Sequence, residues 1–225
     1  MRFKDRKRVY ASPRENADEL ALSLEQGSHI VKLARETVEF VVLKGRPPAS
    51  NDLPRLTGDA SFLREKRGAF VTLTQKDGSL RGCIGVPFPV KPLEEAVTQG
   101  AVGAATKDPR FSPVAVDELQ ELMVEVSALT PPEAISGKPI DRPKQVRIGV
   151  DGLIVSGRGT GGLLLPQVAT DFHVSPTEFL SMTCEKAGLF PDAWLDEKVE
   201  VRRFQAEVFS ETSPRGLVES SKTKG

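Results

Sequence analysis

Two apolar runs joined by a tight turn constrain the fold of this chain most strongly. Residues 69–74 and 79–84 are rich in strand-forming side chains, and Gln75-Lys76-Asp77-Gly78 separates them. An Asp-Gly pair between two such runs is a strong hairpin signal, because both residues tolerate the left-handed backbone conformation of a tight turn. The sequence therefore predicts an antiparallel β-hairpin at this position.

The second strand of this hairpin carries the hexapeptide Leu-Arg-Gly-Cys-Ile-Gly at residues 80–85, called here the LRGCIG motif. Alternation along a strand places Arg81 and Cys83 on one face, with Cα atoms roughly 6.5 to 7 Å apart, where the guanidinium would stabilise a thiolate. Gly82 and Gly85 are costly in a strand and mark a close approach of backbone or ligand. We interpret Cys83 as a candidate nucleophile and Arg81 as its thiolate stabiliser. The alternative is a buried apolar cysteine beside a solvated arginine.

Several further blocks accompany the motif in a fixed order. They are Gly68-Ala69-Phe70-Val71-Thr72-Leu73, Asp108-Pro109-Arg110-Phe111, Asp151-Gly152-Leu153-Ile154-Val155, Leu163-Leu164-Leu165-Pro166-Gln167-Val168 and Cys184-Glu185-Lys186-Ala187-Gly188-Leu189. Together with the LRGCIG motif they resemble the AMMECR domain family over residues 20–211. This family has no settled biochemical activity, so the resemblance identifies the domain more closely than its task.

Helical periodicity predicts helices over residues 29–44 and 93–105, and alternating apolar residues predict strands over 122–129 and 199–209. Ser175-Pro176-Thr177-Glu178 is a capping box that opens a further helix, on which Cys184 faces the core. Helices and hairpins alternate without a repeating strand-helix unit. This order favours an α+β fold with antiparallel sheets over a doubly wound one.

The family resemblance implies two lobes, each an antiparallel sheet flanked by helices, with the LRGCIG motif facing a cleft between them. We expect a larger lobe from residues 20–86 and 145–211, and a smaller lobe from residues 87–144. Residues 1–19 are expected to form a basic, flexible arm, and residues 212–225 a flexible tail.

Charge and cysteine content narrow the class of protein. The chain has 31 basic and 31 acidic residues, so it lacks the global positive charge of a nonspecific nucleic-acid coat, and a nucleic-acid partner is not favoured. No apolar run indicates a membrane span or secretory signal, which predicts a cytoplasmic protein without membrane contact. Cys83 and Cys184 are far apart in sequence and are expected to be free thiols in a reducing compartment.

Cofactor and metal motifs find little support. Gly157-Arg158-Gly159-Thr160-Gly161-Gly162 matches the dinucleotide pattern G-x-G-x-x-G formally, but Pro166 would disrupt the helix that such a loop must open. We therefore predict a glycine-rich turn between strands at 153–156 and 163–165. His29 and His173 have no metal-ligand spacing with the cysteines, and His173 remains a remote candidate base for Cys83. We predict no metal and no cofactor.

Two functions remain open at this point. The first is a binding module whose cleft holds a protein or other extended ligand, with candidate binding residues Arg81, Gly82, Gly85, Asp108 and Arg110. The second is a thiol-dependent enzyme with Cys83 as nucleophile and backbone N–H groups near Gly82 or Gly85 as oxyanion donors. The resemblance also implies a modification pathway shared with Memo-like and radical-SAM-like proteins.

Overall fold

The structure is a computed structural model that describes residues 21–49, 51–53 and 60–222. The expected basic arm, residues 1–19, lies outside this range. The described chain mixes helices with antiparallel strands, which confirms the α+β class. In order, its elements are α1 (Leu24–Lys44), β1 (Ala69–Thr74), β2 (Leu80–Val86), α2 (Leu93–Thr106), β3 (Met123–Leu129), β4 (Glu133–Ala134), β5 (Gly152–Gly157), β6 (Thr160–Leu164), α3 (Pro166–Asp171), α4 (Pro176–Lys186), β7 (Glu200–Phe204), β8 (Ala206–Glu211) and β9 (Val218–Lys222).

The first sheet has five antiparallel strands in the order β2-β1-β3-β8-β9. The predicted hairpin forms its β1–β2 edge, with Thr72 opposite Cys83. Helices α1 and α2 pack on one face of the sheet, because α1 presents an apolar stripe that includes the fully buried Ile30, Ala34 and Val38. The opposite face of the hairpin has no helix over it in the described chain and bears the side chains of the candidate site.

Small residues let helix α2 lie unusually close to the hairpin. A Cβ atom at Gly103 would lie 2.5 Å from Cγ2 of Ile84, and a Cβ atom at Gly82 would lie 2.2 Å from the carbonyl oxygen of Ala104. Such distances leave no room for a side chain without displacing the helix. Gly82 therefore faces α2 and contributes close packing, on the face opposite Cys83.

The second sheet has four antiparallel strands in the order β4-β7-β5-β6. Helix α4 packs against it and begins at the predicted capping box, where Ser175 accepts a hydrogen bond from the N–H of Glu178. Cys184 is fully buried in this core together with Phe179 and Leu180, as the sequence predicted. Both cysteines are free thiols.

The chain crosses between the sheets at two adjacent points. The connection from β3 to β4 passes Thr130, and the connection from β7 to β8 passes Gln205; Thr130 N–H donates to the Gln205 carbonyl, and Gln205 N–H donates to Thr130 Oγ1, both at 2.8 Å. The single strand predicted over 199–209 is therefore wrong, because Gln205 divides it between two sheets.

The sheets also divide the chain differently from the expected lobes. Strand β3 pairs with β1, so the first sheet takes residues 69–129 and 206–222, whereas the second takes residues 133–204. The expected boundaries at 87 and 145 separated α2 and β3 from the hairpin they pack against. The segment after 211, expected to be a flexible tail, contains β9 paired with β8.

A buried ion pair ties helix α1 to the end of β8. Arg35 and Glu211 are both almost inaccessible, and Glu211 also accepts a hydrogen bond from the N–H of Val124 at 2.9 Å. This carboxylate thus holds α1, β3 and β8 together.

Among the described helices, none combines the length and apolar character that crossing a bilayer requires.

Candidate functional site

The LRGCIG motif lies on β2, the edge strand of the first sheet. The β1–β2 register shifts beside Arg81: Leu73 pairs with Gly82 and Thr74 pairs with Leu80, which leaves Arg81 as the extra residue of a bulge. Strict alternation therefore fails at Arg81. Its side chain is directed towards the segment that follows α2, while Cys83 stays on the open face of the sheet.

Arg81 forms a bidentate ion pair with Glu118, through Nε at 2.7 Å and Nη2 at 2.9 Å. Its guanidinium also donates to the backbone carbonyls of residues 112 and 113 and lies 5.9 Å from the ring centroid of Phe111. Hydrogen bonding to Arg81 is the main cause that lowers the pKa of Glu118. These partners occupy the hydrogen-bond donors of the guanidinium, so Arg81 attaches the 107–118 segment to β2. Among the described residues, no hydrogen bond joins Arg81 to Cys83.

Asp108 and Arg110 instead hold the backbone of Cys83. The N–H of Cys83 donates to Asp108 Oδ2 at 2.8 Å, and Arg110 Nη2 reaches the Cys83 carbonyl at 3.5 Å. Arg110 also pairs with the buried Asp108 carboxylate at 2.7 Å. The hydrogen bond from Arg110 is the largest cause of a pKa for Asp108 well below its usual range, and the Cys83 N–H adds to it. The predicted residues 81, 83, 108 and 110 thus converge on one strand edge.

A row of polar side chains crosses the open face of the sheet at Cys83. Thr72 lies opposite Cys83 on β1, and its Oγ1 donates to Cys83 Sγ at 3.3 Å. Glu125 lies opposite Thr72 on β3, about 10 Å from Cys83 at the backbone, since neighbouring strands are about 4.8 Å apart. Burial raises the pKa of Glu125. Neither Thr72 nor Glu125 has a sequence signal of its own, because only strand register places Thr72 next to the thiol and Glu125 one strand further along the row.

A groove lies where the same sheet face meets the second sheet. It encloses about 410 Å³, and its lining includes Phe70, Phe88, β6, Val168 and Lys186. Gly85 shapes it, because a Cβ atom there would lie 2.4 Å from the ring of Phe70. Phe70 is two residues from Thr72 on β1, so the groove begins about 7 Å from the Cys83 row.

The remaining motifs have structural roles. Arg158 and Gly159, both with positive φ, form the two-residue turn of the predicted β5–β6 hairpin, and a Cβ atom at Gly162 would lie 2.4 Å from the nitrogen of Ala187. His29 stacks on Phe62, and His173 is exposed after α3. Within the described residues, no three His, Cys, Asp or Glu side chains are grouped so that they could hold a metal ion.

The fold and site define a class of protein: an α+β domain with two antiparallel sheets, whose edge-strand cysteine is clamped by an Asp-Pro-Arg-Phe segment next to an intersheet groove. Residues 31–209 match the AMMECR1 family model. The chain belongs to the AMMECR1 family.

Similar proteins cover nearly the same span. A protein of Thermococcus gammatolerans is 48% identical over 200 residues, covering 86% of this chain and 94% of the relative. Protein PF1979 of Pyrococcus furiosus is 48% identical over 201 residues, covering 86% and 92%. The crystal structure of uncharacterized protein PH0010 from Pyrococcus horikoshii matches with a TM-score of 0.72 at 44% identity, over 88% of this chain and 97% of that one.

Proposed function

We propose that this protein is a binding module that holds a protein segment or other extended ligand in the intersheet groove beside the LRGCIG motif. The observation that carries the proposal is the groove itself: a mostly apolar concavity of about 410 Å³ with one lysine, Lys186, at its wall. Its volume is within the usual range for ligand sites, and its apolar walls would gain free energy when covered.

The LRGCIG motif supports this function in two ways. Gly85 leaves room for the Phe70 ring that forms one wall of the groove. The edge of β2 at Cys83 is held rigid by Asp108 and Arg110, so this wall is preorganised and loses little conformational entropy on binding. Arg81 acts through the same segment, by its ion pair with Glu118.

The proposed setting is a reducing compartment such as the cytoplasm, which the two free cysteines fit. Within it, the module would present its ligand to partners in a modification pathway of the kind implied by the family resemblance, with Memo-like and radical-SAM-like proteins. A binding function does not require a catalytic base in this chain.

Site-specific photocrosslinking tests the binding function. Benzoylphenylalanine replaces Phe88 in the groove wall, and as a matched control it replaces Phe190, which is exposed outside the groove. We expect discrete crosslinked species from position 88 that are absent from position 190. Val168→Glu, in the groove, should remove them, whereas Leu217→Glu, on the exposed β8–β9 connection, should not. Identical species from both crosslinker positions would contradict the proposal.

A second candidate function is nucleophilic chemistry at Cys83. It is favoured by the half-exposed thiol and its hydrogen bond from Thr72 Oγ1, with Glu125 next in the row. Sγ would form a bond to an acyl or similar electrophilic carbon while the bond to the leaving group breaks and the leaving group takes the thiol proton. The rate of Cys83 alkylation against pH tests it. A midpoint near about 8.5, as for an ordinary free thiol, would remove its chemical basis.

A further inference from the structure

Four consecutive residues of β6 and the extended residue that follows the strand line the groove. Gly161, Gly162, Leu163, Leu164 and Leu165 all contribute to its wall. Successive side chains of a strand point to opposite faces, so a groove lying over one face would meet only alternate residues. Contact with every residue in turn means that the groove runs along the backbone edge of β6.

That edge has no strand partner in the described part of the chain, because β6 is the last strand in the order β4-β7-β5-β6. The two-residue turn at 158–159 makes Gly157 and Thr160 a hydrogen-bonded pair, and pairing alternates from there. Gly162 and Leu164 therefore bond to β5. The backbone N–H and C=O groups of Gly161 and Leu163 point to the other side, into the groove.

The lining of the groove combines two kinds of chemistry. Leu163 and Leu165 pack with Phe70 and Phe88 at the junction of the two sheets, which makes one wall apolar. Lys186, an exposed residue at the end of α4, also lines the groove and supplies its one basic side chain among the described residues. The five extended residues 161–165 span about 16 Å, enough for five residues of an extended chain laid alongside.

The edge of β2, in contrast, is protected. Asp108 takes the outward N–H of Cys83, and Arg110 covers its carbonyl, so these side chains stand where a neighbouring strand would be. Proteins commonly protect exposed strand edges with charged side chains, because free backbone groups invite another strand. The edge of β6 carries glycine and leucine rather than such charges.

We propose that the groove receives an extended polypeptide segment that adds to β6 as a fifth strand of the second sheet. Its backbone pairs with the N–H and C=O groups of Gly161 and Leu163. Alternate apolar side chains enter the wall formed by Phe70 and Phe88, and an acidic side chain lies near Lys186. This inference rests on the proposed binding function and names its ligand class and its mode of recognition.

The probes are synthetic peptides selected from a random dodecapeptide phage library on the full chain, with Val168→Glu used for counter-selection. Each peptide is then resynthesised with a single N-methyl group at every position in turn, which removes one backbone donor at a time. We expect affinity to fall at least about tenfold at every second position and to change little between. Lys186→Glu should weaken the binding of peptides that carry an acidic residue.

Two measurements on the protein locate the added strand. Amide hydrogen exchange of Gly161 and Leu163 should slow when peptide binds, while Gly162, already paired with β5, should change little. Gly161→Pro removes one outward N–H and should weaken binding about tenfold, whereas Leu217→Glu, an exposed position outside the groove, should bind as the wild type does.

The outcomes separate the inference from the function on which it rests. Strand addition would be overturned, and the binding function retained, by peptides whose binding needs Val168 but whose affinity shows no two-residue period on N-methylation. In that case the amides of Gly161 and Leu163 would also show no slowed exchange. Failure to select any groove-dependent peptide would overturn both. Two results would show that something other than a partner peptide occupies the groove. If the wild type is a dimer that Gly161→Pro converts to a monomer, the occupant is a second copy of the chain. If peptide binds only after residues 1–20 are removed, the occupant is the chain's own N-terminal arm.

Discussion

Asp108 closes the edge of β2 at Cys83, where its Oδ2 accepts the backbone N–H of that residue at 2.8 Å. The carboxylate is almost inaccessible and is also paired with Arg110, so a side chain far along the sequence completes the hydrogen bonding of the edge strand. This contact joins the two sequence blocks that the family resemblance had associated only by their order.

Removal of the Asp108 carboxylate should destabilise the protein by about 1–3 kcal/mol, because a buried backbone N–H loses its partner. The pKa of Asp108 is lowered in the folded state, chiefly by Arg110. The ionised Asp108 carboxylate therefore makes its full contribution to the free energy of unfolding above the unfolded pKa of about 3.9, and this contribution declines as pH falls below that value. Urea unfolding of wild type and Asp108→Ala across this range checks both claims. Asp108→Asn, which keeps an acceptor without charge, should lose less stability than Asp108→Ala at neutral pH, and its difference from wild type should shrink as pH falls, because only the wild-type side chain titrates.

Substitution of Gly82 should be costly although its added volume is small. A Cβ atom would lie 2.2 Å from the Ala104 carbonyl oxygen, so Gly82→Ala must push helix α2 away from β2. We expect a loss of about 1–3 kcal/mol in the free energy of unfolding. Gly161→Ala, at an exposed strand position with space for a methyl group, is the matched control and should change stability by less than about 0.5 kcal/mol. Equal effects of the two substitutions would contradict the close-packing role.

The two arginines near Cys83 should affect its thiol differently. Arg81 is paired with Glu118, whereas Arg110 contacts the Cys83 carbonyl and interacts electrostatically with the cysteine. Native-state alkylation of Cys83 at neutral pH should slow about two- to threefold in Arg110→Gln and stay unchanged in Arg81→Gln. The reverse order would restore the interpretation of Arg81 as the thiolate stabiliser.

The two cysteines should separate clearly in a thiol-labelling experiment. Cys184 is fully buried, and burial raises its pKa, while Cys83 is half-exposed. In the native protein we expect Cys83 to react at least about tenfold faster than Cys184, which should become reactive only with unfolding. Peptide mass spectrometry over a urea series measures both rates. Rapid native labelling of Cys184 would show that the second core opens independently.

Ionisation of Glu125 should cost the folded protein stability. Burial raises the pKa of Glu125 in the folded state, so the protonated carboxyl favours folding at low pH. This stabilisation is lost as pH rises from the unfolded pKa of about 4.3 through the folded pKa. Glu125→Gln removes this titration. Its free energy of unfolding, relative to wild type, should therefore increase between about pH 4 and pH 7. A constant difference across that interval would indicate that Glu125 is fully solvated.

The sequence alone determined the local elements. The Asp-Gly turn and the capping box at Ser175 form as predicted, because each depends on contacts within a few residues. The glycine-rich hairpin between β5 and β6 also forms, but its turn is only residues 158–159, since residues 157 and 160–162 belong to the two strands. The ordered blocks also indicated the family, and the buried role of Cys184 followed from helical periodicity.

Only the tertiary structure decided how the site is built. The bulge at Arg81 redirected its side chain to Glu118, and strand register placed Thr72 beside Cys83 and Glu125 one strand further away. The break at Gln205 set the division into two sheets and, with it, the groove along β6. The physical reason is that these relations join residues far apart in the chain. Hairpin and capping signals act over a few residues, whereas register, bulges and the packing of one sheet against another depend on the whole fold.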